Sequence, residues 1–250
     1  MVWPKPAVMA LVGLALSIGP GQPVEASAKR ARAVERPVAA EPLSETAQDL
    51  ARWAIASGDN GGLPFIVIDK VAAEVLVYGG DGELRGATAA LLGFAHGDDS
   101  VPGIGDRKLA AIRPEERTTP AGRFLSSFGP AASRADAFWV DYATAISLHP
   151  VVTATPKERR LQRLQSPSPD DNRITYGCIN VARPFYNNVI RRTFIGTKGV
   201  VYILPETRPL AEVFPAFRSQ EQARPAPTGA GAEALALTGA SGAGLRPLRS

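Results

Sequence analysis

One cysteine limits what this chain can fold into. Cys178 is the only one among 250 residues, so no internal disulfide can hold the fold. A hydrophobic core must do so, and the length suffices for one domain with a real core plus tails. Yet the chain opens like an exported protein. Lys5 supplies a positive start, Ala7 to Ile18 is apolar, Gly19-Pro20-Gly21 breaks the run, and Ala26-Ser27-Ala28 offers a small-x-small cleavage site. Exported proteins usually use cysteines in pairs. A lone thiol in an oxidising compartment has no internal partner and risks oxidation. A free cysteine is often only a small buried core residue. The neighbourhood of this one, Thr175-Tyr176-Gly177-Cys178-Ile179-Asn180, favours a nucleophile instead.

The apolar run near the start falls short of the ~20 residues that span a bilayer. A signal peptide over residues 1–28 is therefore expected, with no membrane span after cleavage. No cysteine lies near the cleavage site, which excludes a lipoprotein anchor. The expected location is the periplasm or cell envelope. Net charge is +4 and the pI is near 9.4. Basic residues gather at 29–36, 157–163 and 183–192 with few aromatics among them, and no nucleic-acid motif is present. Nucleic acid is thus not an expected partner. An anionic cell-surface polymer is compatible with the charge but not shown by it.

The pattern along the chain is mainly β. Residues 29–62 read as a linker followed by a helix from Ser44 to Ser57, with Leu43, Ala47, Leu50 and Ala54 at helical spacing. The period then changes. Phe65–Ile68, Glu74–Tyr78, Leu84–Leu92, Arg123–Phe128, Ala137–Tyr142, Ala145–His149 and Val200–Leu204 are short strand-like runs bounded by turn residues. Residues 96–118 are loop-like, and Pro184 opens a helix with Phe185, Val189 and Ile190 on its apolar face. Thr155-Pro156-Lys157-Glu158 predicts a capped helix start, with Leu161 and Leu164 packed downward and Arg159, Arg160 and Arg163 left partly free. The core domain is drawn at 63–206. A low-complexity tail without the apolar content for a core is drawn at 207–250, its Ala, Gly, Pro and Ser composition beginning near residue 219.

Two histidines are available to activate the thiol, His96 and His149. His149 closes an alternating run, where side chains at a strand end point into a site. A separated Cys and His brought together by a fold form a nucleophile–base pair. Gly177 lets the backbone approach closely, so that amides at 177–178 can face a developing oxyanion. His96-Gly97-Asp98-Asp99 is too thin for a metal site, and none is expected. There is no G-x-S-x-G elbow and no dinucleotide fingerprint, so no organic cofactor is expected either.

The combination resembles one family. Phe65–Ile68 and Val75–Tyr78, then Thr119-Pro120-Ala121-Gly122-Arg123-Phe124, then His149, then Thr175-x-Gly177-Cys178-Ile179-Asn180, stand in the order found in the L,D-transpeptidase catalytic domain of the YkuD type. The resemblance spans about residues 63–206. It implies a β-sandwich of mixed sheets with a few short helices. It implies Cys178 as nucleophile and His149 as base, with Thr175, Tyr176, Gly177 and Asn180 supporting the oxyanion region and the site. It also implies peptidoglycan stem peptides as substrate, no cofactor, and a monomer. Arg159, Arg160, Arg163 and Arg173 form a set that could bind substrate carboxylates, Arg163 and Arg173 being the two singled out, against the plainer reading of a solvated helix face. The chain departs from the family twice. Tyr176 replaces the second signature histidine, and His149 and Cys178 lie further apart than is usual, with residues 156–173 between them as a lid, a substrate wall or a plain surface excursion. Hydrolysis of the same peptides, as an L,D-carboxypeptidase or endopeptidase, and a non-catalytic cell-wall binding domain are the rival functions.

Overall fold

The computed structural model describes residues 43–131 and 137–217. The expected signal peptide, the 29–42 linker and the tail beyond 217 lie outside the described residues. Among the described residues no helix is long and apolar enough to cross a membrane.

The mainly β expectation holds. After helix α1 (Glu45–Ser57), nine strands are described: β1 (Phe65–Asp69), β2 (Glu74–Tyr78), β3 (Leu84–Gly93), β4 (Gly122–Gly129), β5 (Ala137–Asp141), β6 (Ile146–Pro150), β7 (Arg173–Thr175), β8 (Ile179–Val181) and β9 (Gly199–Ile203). Their lateral order is β2-β1-β9-β4-β5-β6-β8-β3-β7, and a β2–β3 pairing closes the ring. Pairing is mixed: β1–β9, β6–β8 and β3–β7 are parallel, the rest antiparallel. Two strands change partner along their length. β3 leaves β2 for β8 after Ala89, and β4 leaves β9 for β5 after Ser126.

The strands β1, β2 and β9 are buried on both faces, which is why they read as unbroken apolar runs. Period-2 alternation sends Ile66, Ile68, Val75, Val77, Val201 and Ile203 into the ring interior against Phe138, Leu148, Ile179 and Phe194. It sends Phe65, Val67, Leu76, Val200 and Tyr202 outward, under α1 and the segment after β9. That outer face needs a cover, and two pieces supply it. Helix α1 lays Ala47, Leu50, Ala51 and Ala54 on it. A short helix, Leu210–Val213, then returns the chain so that Phe214 and Phe217 are buried in the same cluster. The domain therefore runs past residue 206. The tail drawn from 207 began too early, because two large apolar side chains follow a Pro-rich stretch and are needed on an otherwise bare sheet.

Helix α1 is tied down at its start. The Ser44 hydroxyl accepts from the Ala47 amide at 3.2 Å and donates to Asp69 Oδ2 at 2.5 Å, joining the helix N-terminus to the end of β1. Gly58 in the left-handed region ends it. Ser44→Ala removes both bonds at once. We expect it to lower stability by about 1–2 kcal/mol, read as a fall in the urea midpoint without a change in slope.

Candidate active site

The site is built where β6 and β8 run side by side. Leu148 pairs with Ile179, His149 with Asn180 and Pro150 with Val181. Because alternate side chains share a face, Leu148 and Ile179 point into the core while His149 and Asn180 point the other way. Continuing the register one step back sets Ser147 beside Cys178. Four polar side chains from two adjacent strands thus form one patch: Ser147 and His149 from β6, Cys178 and Asn180 from β8 and the turn before it. His149 and Cys178, 29 positions apart in sequence, become diagonal neighbours on one face of the β6–β8 pair.

Distances bear this out. Cys178 Sγ lies 3.7 Å from Ser147 Oγ and 3.6 Å from the Ala145 carbonyl. Asn180 Nδ2 lies 3.1 Å from His149 Nε2, and His149 Nδ1 lies 2.9 Å from the Pro150 carbonyl. A carbonyl only accepts, so Nδ1 carries the hydrogen in the neutral ring and Nε2 is the bare nitrogen. The Cys178 thiol is free and half-buried. Its burial opposes the thiolate, but hydrogen bonding and charge from His149, with help from Ser147, bring the thiol below its ordinary value. His149 moves the opposite way. Burial disfavours the charged ring, yet its interaction with Cys178, aided by the Pro150 carbonyl, raises it. The two directions share one cause, the mutual interaction of the Cys178 and His149 side chains.

The turn before Cys178 is held from below. Gly177 has φ +122°, and a Cβ there would meet the Thr118 carbonyl oxygen at 2.6 Å and Ile146 Cδ1 at 2.7 Å, so glycine is required. Thr175 Oγ1 accepts from the Gly177 amide at 3.1 Å and donates to the Cys178 carbonyl at 2.7 Å. The Thr119 hydroxyl donates to the Gly177 carbonyl at 2.8 Å and accepts from the Gly93 amide at 2.9 Å. The Thr119-Pro120-Ala121-Gly122 segment thus supports the turn that presents the thiol. The Gly177 amide expected to face an oxyanion is engaged by Thr175, because the turn folds back on its own threonine. Tyr176 is half-buried under the Arg117 guanidinium, 4.0 Å from its ring centroid, on the side of the 96–118 loop.

Below Thr119 lies a buried charge cluster that the sequence reading did not anticipate. Lys70 is fully buried, and its ammonium donates to the Gly97 carbonyl at 2.6 Å, Asp98 Oδ1 at 2.6 Å and the Thr119 carbonyl at 2.9 Å. Glu206 lies 3.5 Å from Lys70 and also binds Arg173. Asp98 further accepts from the amides of Glu206, Thr207 and Arg208. His96 pairs with Glu206 and Asp99 with Arg208, so the His96-Gly97-Asp98-Asp99 run serves ion pairing.

One expectation for the arginines is corrected, and the other residue has structural bonds of its own. Arg173 is 8% exposed, and its guanidinium is held by Glu206 and the Lys70 carbonyl, so it faces no ligand. Arg163 donates to the main-chain carbonyls of Glu158 and Asp171 and staples the 156–173 insert to itself. The insert also differs from the expected capped helix. Thr155 makes no side-chain cap, Pro156–Glu158 is a single 3-10 turn, Arg159 breaks it at φ 51°, and α2 (Arg160–Arg163) follows. The predicted faces are found only in part, with Arg159 exposed and Leu164 half-buried. Leu161 is 53% exposed, whereas Arg160 turns inward and donates to Asn180 Oδ1 at 2.9 Å and Glu158 Oε2 at 2.6 Å. Ser147 is a site neighbour that sequence reasoning missed, and Arg160, expected on a free rim, is a second whose place it misread, since it reaches Asn180. The alternation Ile146-Ser147-Leu148-His149 carried the first signal, since residues two apart on a strand share a face.

No family model matches this sequence, and no curated protein does. Among solved structures, 11 chains match. One is the helical cell shape determining protein Pgp2 from Campylobacter jejuni, 15% identical at a TM-score of 0.41, over 63% of this chain and 56% of that one. Another is the catalytic domain of the L,D-transpeptidase from E. faecium, 15% identical at a TM-score of 0.33, over 56% of this chain and 95% of that one. The present chain spans little more than half the length of Pgp2.

Proposed function

We propose that this protein is an exported cysteine acyltransferase that acts on peptidoglycan stem peptides as an L,D-transpeptidase. The observation that carries the chemistry is the four-residue patch on β6 and β8. There an imidazole, with its hydrogen on Nδ1 and its Nε2 facing the Asn180 amide, shares a strand face with a thiol that its presence makes more acidic. The substrate class rests on the motifs that resemble the YkuD-type family and on the expected signal peptide. The Cys178 thiolate attacks the carbonyl carbon that precedes a terminal D-amino acid. The thiol proton goes to His149 and then to the leaving amine as its C–N bond breaks, leaving a thioester on Cys178. The amine of a second stem peptide attacks that thioester, His149 takes its proton, and the thiolate leaves. A peptide crosslink and free D-amino acid result, and atoms and charges balance without a metal or organic cofactor. The oxyanion is met by the amide of Cys178, with Tyr176 and Asn180 shaping the site around it.

Product analysis on purified stem peptides is the test. Crosslinked dimer together with released D-amino acid supports the proposal. Release without crosslink makes the protein a hydrolase of the same bond. No reaction with an intact fold makes it a binding domain.

A second measurement needs no substrate. A lowered thiol value places reactive thiolate at lower pH, so the rate of iodoacetamide labelling is expected to rise with a midpoint below about 8.5. His149→Ala removes the group that lowers it, so the midpoint should move up. A midpoint at or above the ordinary value, unmoved by His149→Ala, would reduce Cys178 to a buried structural thiol.

A further inference from the structure

The insert between the two reactive residues reaches the site through Arg160. Its Nη1 donates to Asn180 Oδ1 at 2.9 Å. A guanidinium has no acceptor, so this bond fixes which end of the Asn180 amide faces outward. The Nδ2 end must then face His149 Nε2, 3.1 Å away. An NH₂ group only donates. It complements the bare Nε2 of a neutral ring and opposes a ring that carries hydrogen there. The Pro150 carbonyl, on the other side, keeps the remaining hydrogen on Nδ1.

We propose that Arg160 is a positioning residue for His149: it locks the Asn180 amide with its donor end toward Nε2 and so favours the neutral, Nδ1-protonated imidazole against the opposite pull of Cys178. The inference rests on the reading of His149 as the base for Cys178. It gives the 156–173 insert a task in the chemistry rather than at the rim. A base that has taken a proton must give it up again to the leaving amine. An arm that favours the neutral ring opposes trapping of the imidazolium.

Other features fit this. Arg159 adopts φ 51°, ψ 37°, and this left-handed residue breaks the helix and turns Arg160 back toward β8. Glu158 holds Arg160 Nε at 2.6 Å and steers the guanidinium. The charged groups that act on His149 are Cys178, from the turn before β8, and Arg160, from α2, with Glu158 behind the arginine. The arginine charge acts in the same sense as the amide, against the imidazolium.

The test is a titration of His149 followed by NMR of the imidazole signals. The chain has two histidines, so the exposed His96 serves as an internal reference. Cys178→Ala is the background throughout, because the thiol is the other group that titrates with the ring. Adding Arg160→Met should move the His149 midpoint to higher pH and leave His96 in place. With the arginine gone, Asn180 is free to turn its oxygen toward an Nε2 hydrogen, and the positive charge is lost. Arg160→Lys keeps the charge and a donor and should restore most of the shift. An unchanged His149 midpoint in Arg160→Met overturns the proposal, whatever happens to thermal stability, and leaves Arg160 as a structural staple. The titration uses no substrate, so it stands or falls separately from the activity on stem peptides.

Discussion

Cys178→Ala is expected to abolish turnover on stem peptides, with a loss of roughly 10⁴-fold or more, and to leave the fold intact. Both halves of that expectation have a structural cause. Sulfur is the atom that would form the thioester, and no other cysteine exists to replace it. Its packing role is small: Sγ has only weak polar neighbours at 3.6 Å and 3.7 Å, and the residue is half-buried. The turn is held instead by main-chain and threonine bonds at Gly177, Thr175 and Thr119, none of which involves the sulfur. Alanine therefore keeps the turn and deletes the reaction. Circular dichroism and a thermal midpoint close to the parent's, with no detectable product, is the expected pair of results. Near-normal activity in a folded variant would assign the nucleophile elsewhere.

The β-rich fold was legible because its signals are local. Runs such as Phe65–Ile68 and Val200–Leu204 carry branched and aromatic residues between turn residues, and the structure places strands there. What was not legible is which faces need covering. A strand buried on both faces looks the same in sequence whether a helix or another sheet lies over it. Hence the roles of α1 and of Phe214 and Phe217 as a lid on β1, β2 and β9 emerge only with the topology.

The candidate site was legible in its chemistry and not in its supports. A lone thiol after a glycine and a histidine at a strand end are visible as residue types. Their contact through a parallel β6–β8 pairing is not, because β7 and β8 are three residues each, too short for periodicity to show. The insert was misread for a related reason. A capping-box pattern describes local preference, but the Glu158 carboxylate binds Arg160 instead of closing a cap. Long-range bonding of Arg160 to Asn180 outweighs a preference worth about 1 kcal/mol.

The buried cluster beneath the site yields the second large effect. Lys70→Met is expected to destabilise the protein by about 3–5 kcal/mol, the cost of leaving a buried charge without its partner. Lys70 and Arg173 face Asp98 and Glu206, two charges of each sign, with Lys70 fully buried and using all three ammonium hydrogens. Methionine fills similar volume but leaves Asp98 and Glu206 with one cation fewer between them. The pH dependence separates this cause from lost packing. Burial works against the Asp98 carboxylate, but Lys70, Thr207 and the nearby amides hold its carboxyl well below the usual range in the folded state. A depressed folded value stabilises above the unfolded value and ceases to do so as pH falls through the folded one. Lys70→Met lets the folded value rise, so the deficit should be full at neutral pH and narrow through the acid range. A deficit constant with pH would mean lost packing alone. Activity should fall along with stability, because Lys70 also holds the Thr119 carbonyl, and Thr119 is the residue whose hydroxyl holds the Gly177 carbonyl beside the nucleophile. Urea midpoints of parent and variant at neutral and acid pH, set beside iodoacetamide labelling rates, read both consequences in one protein pair.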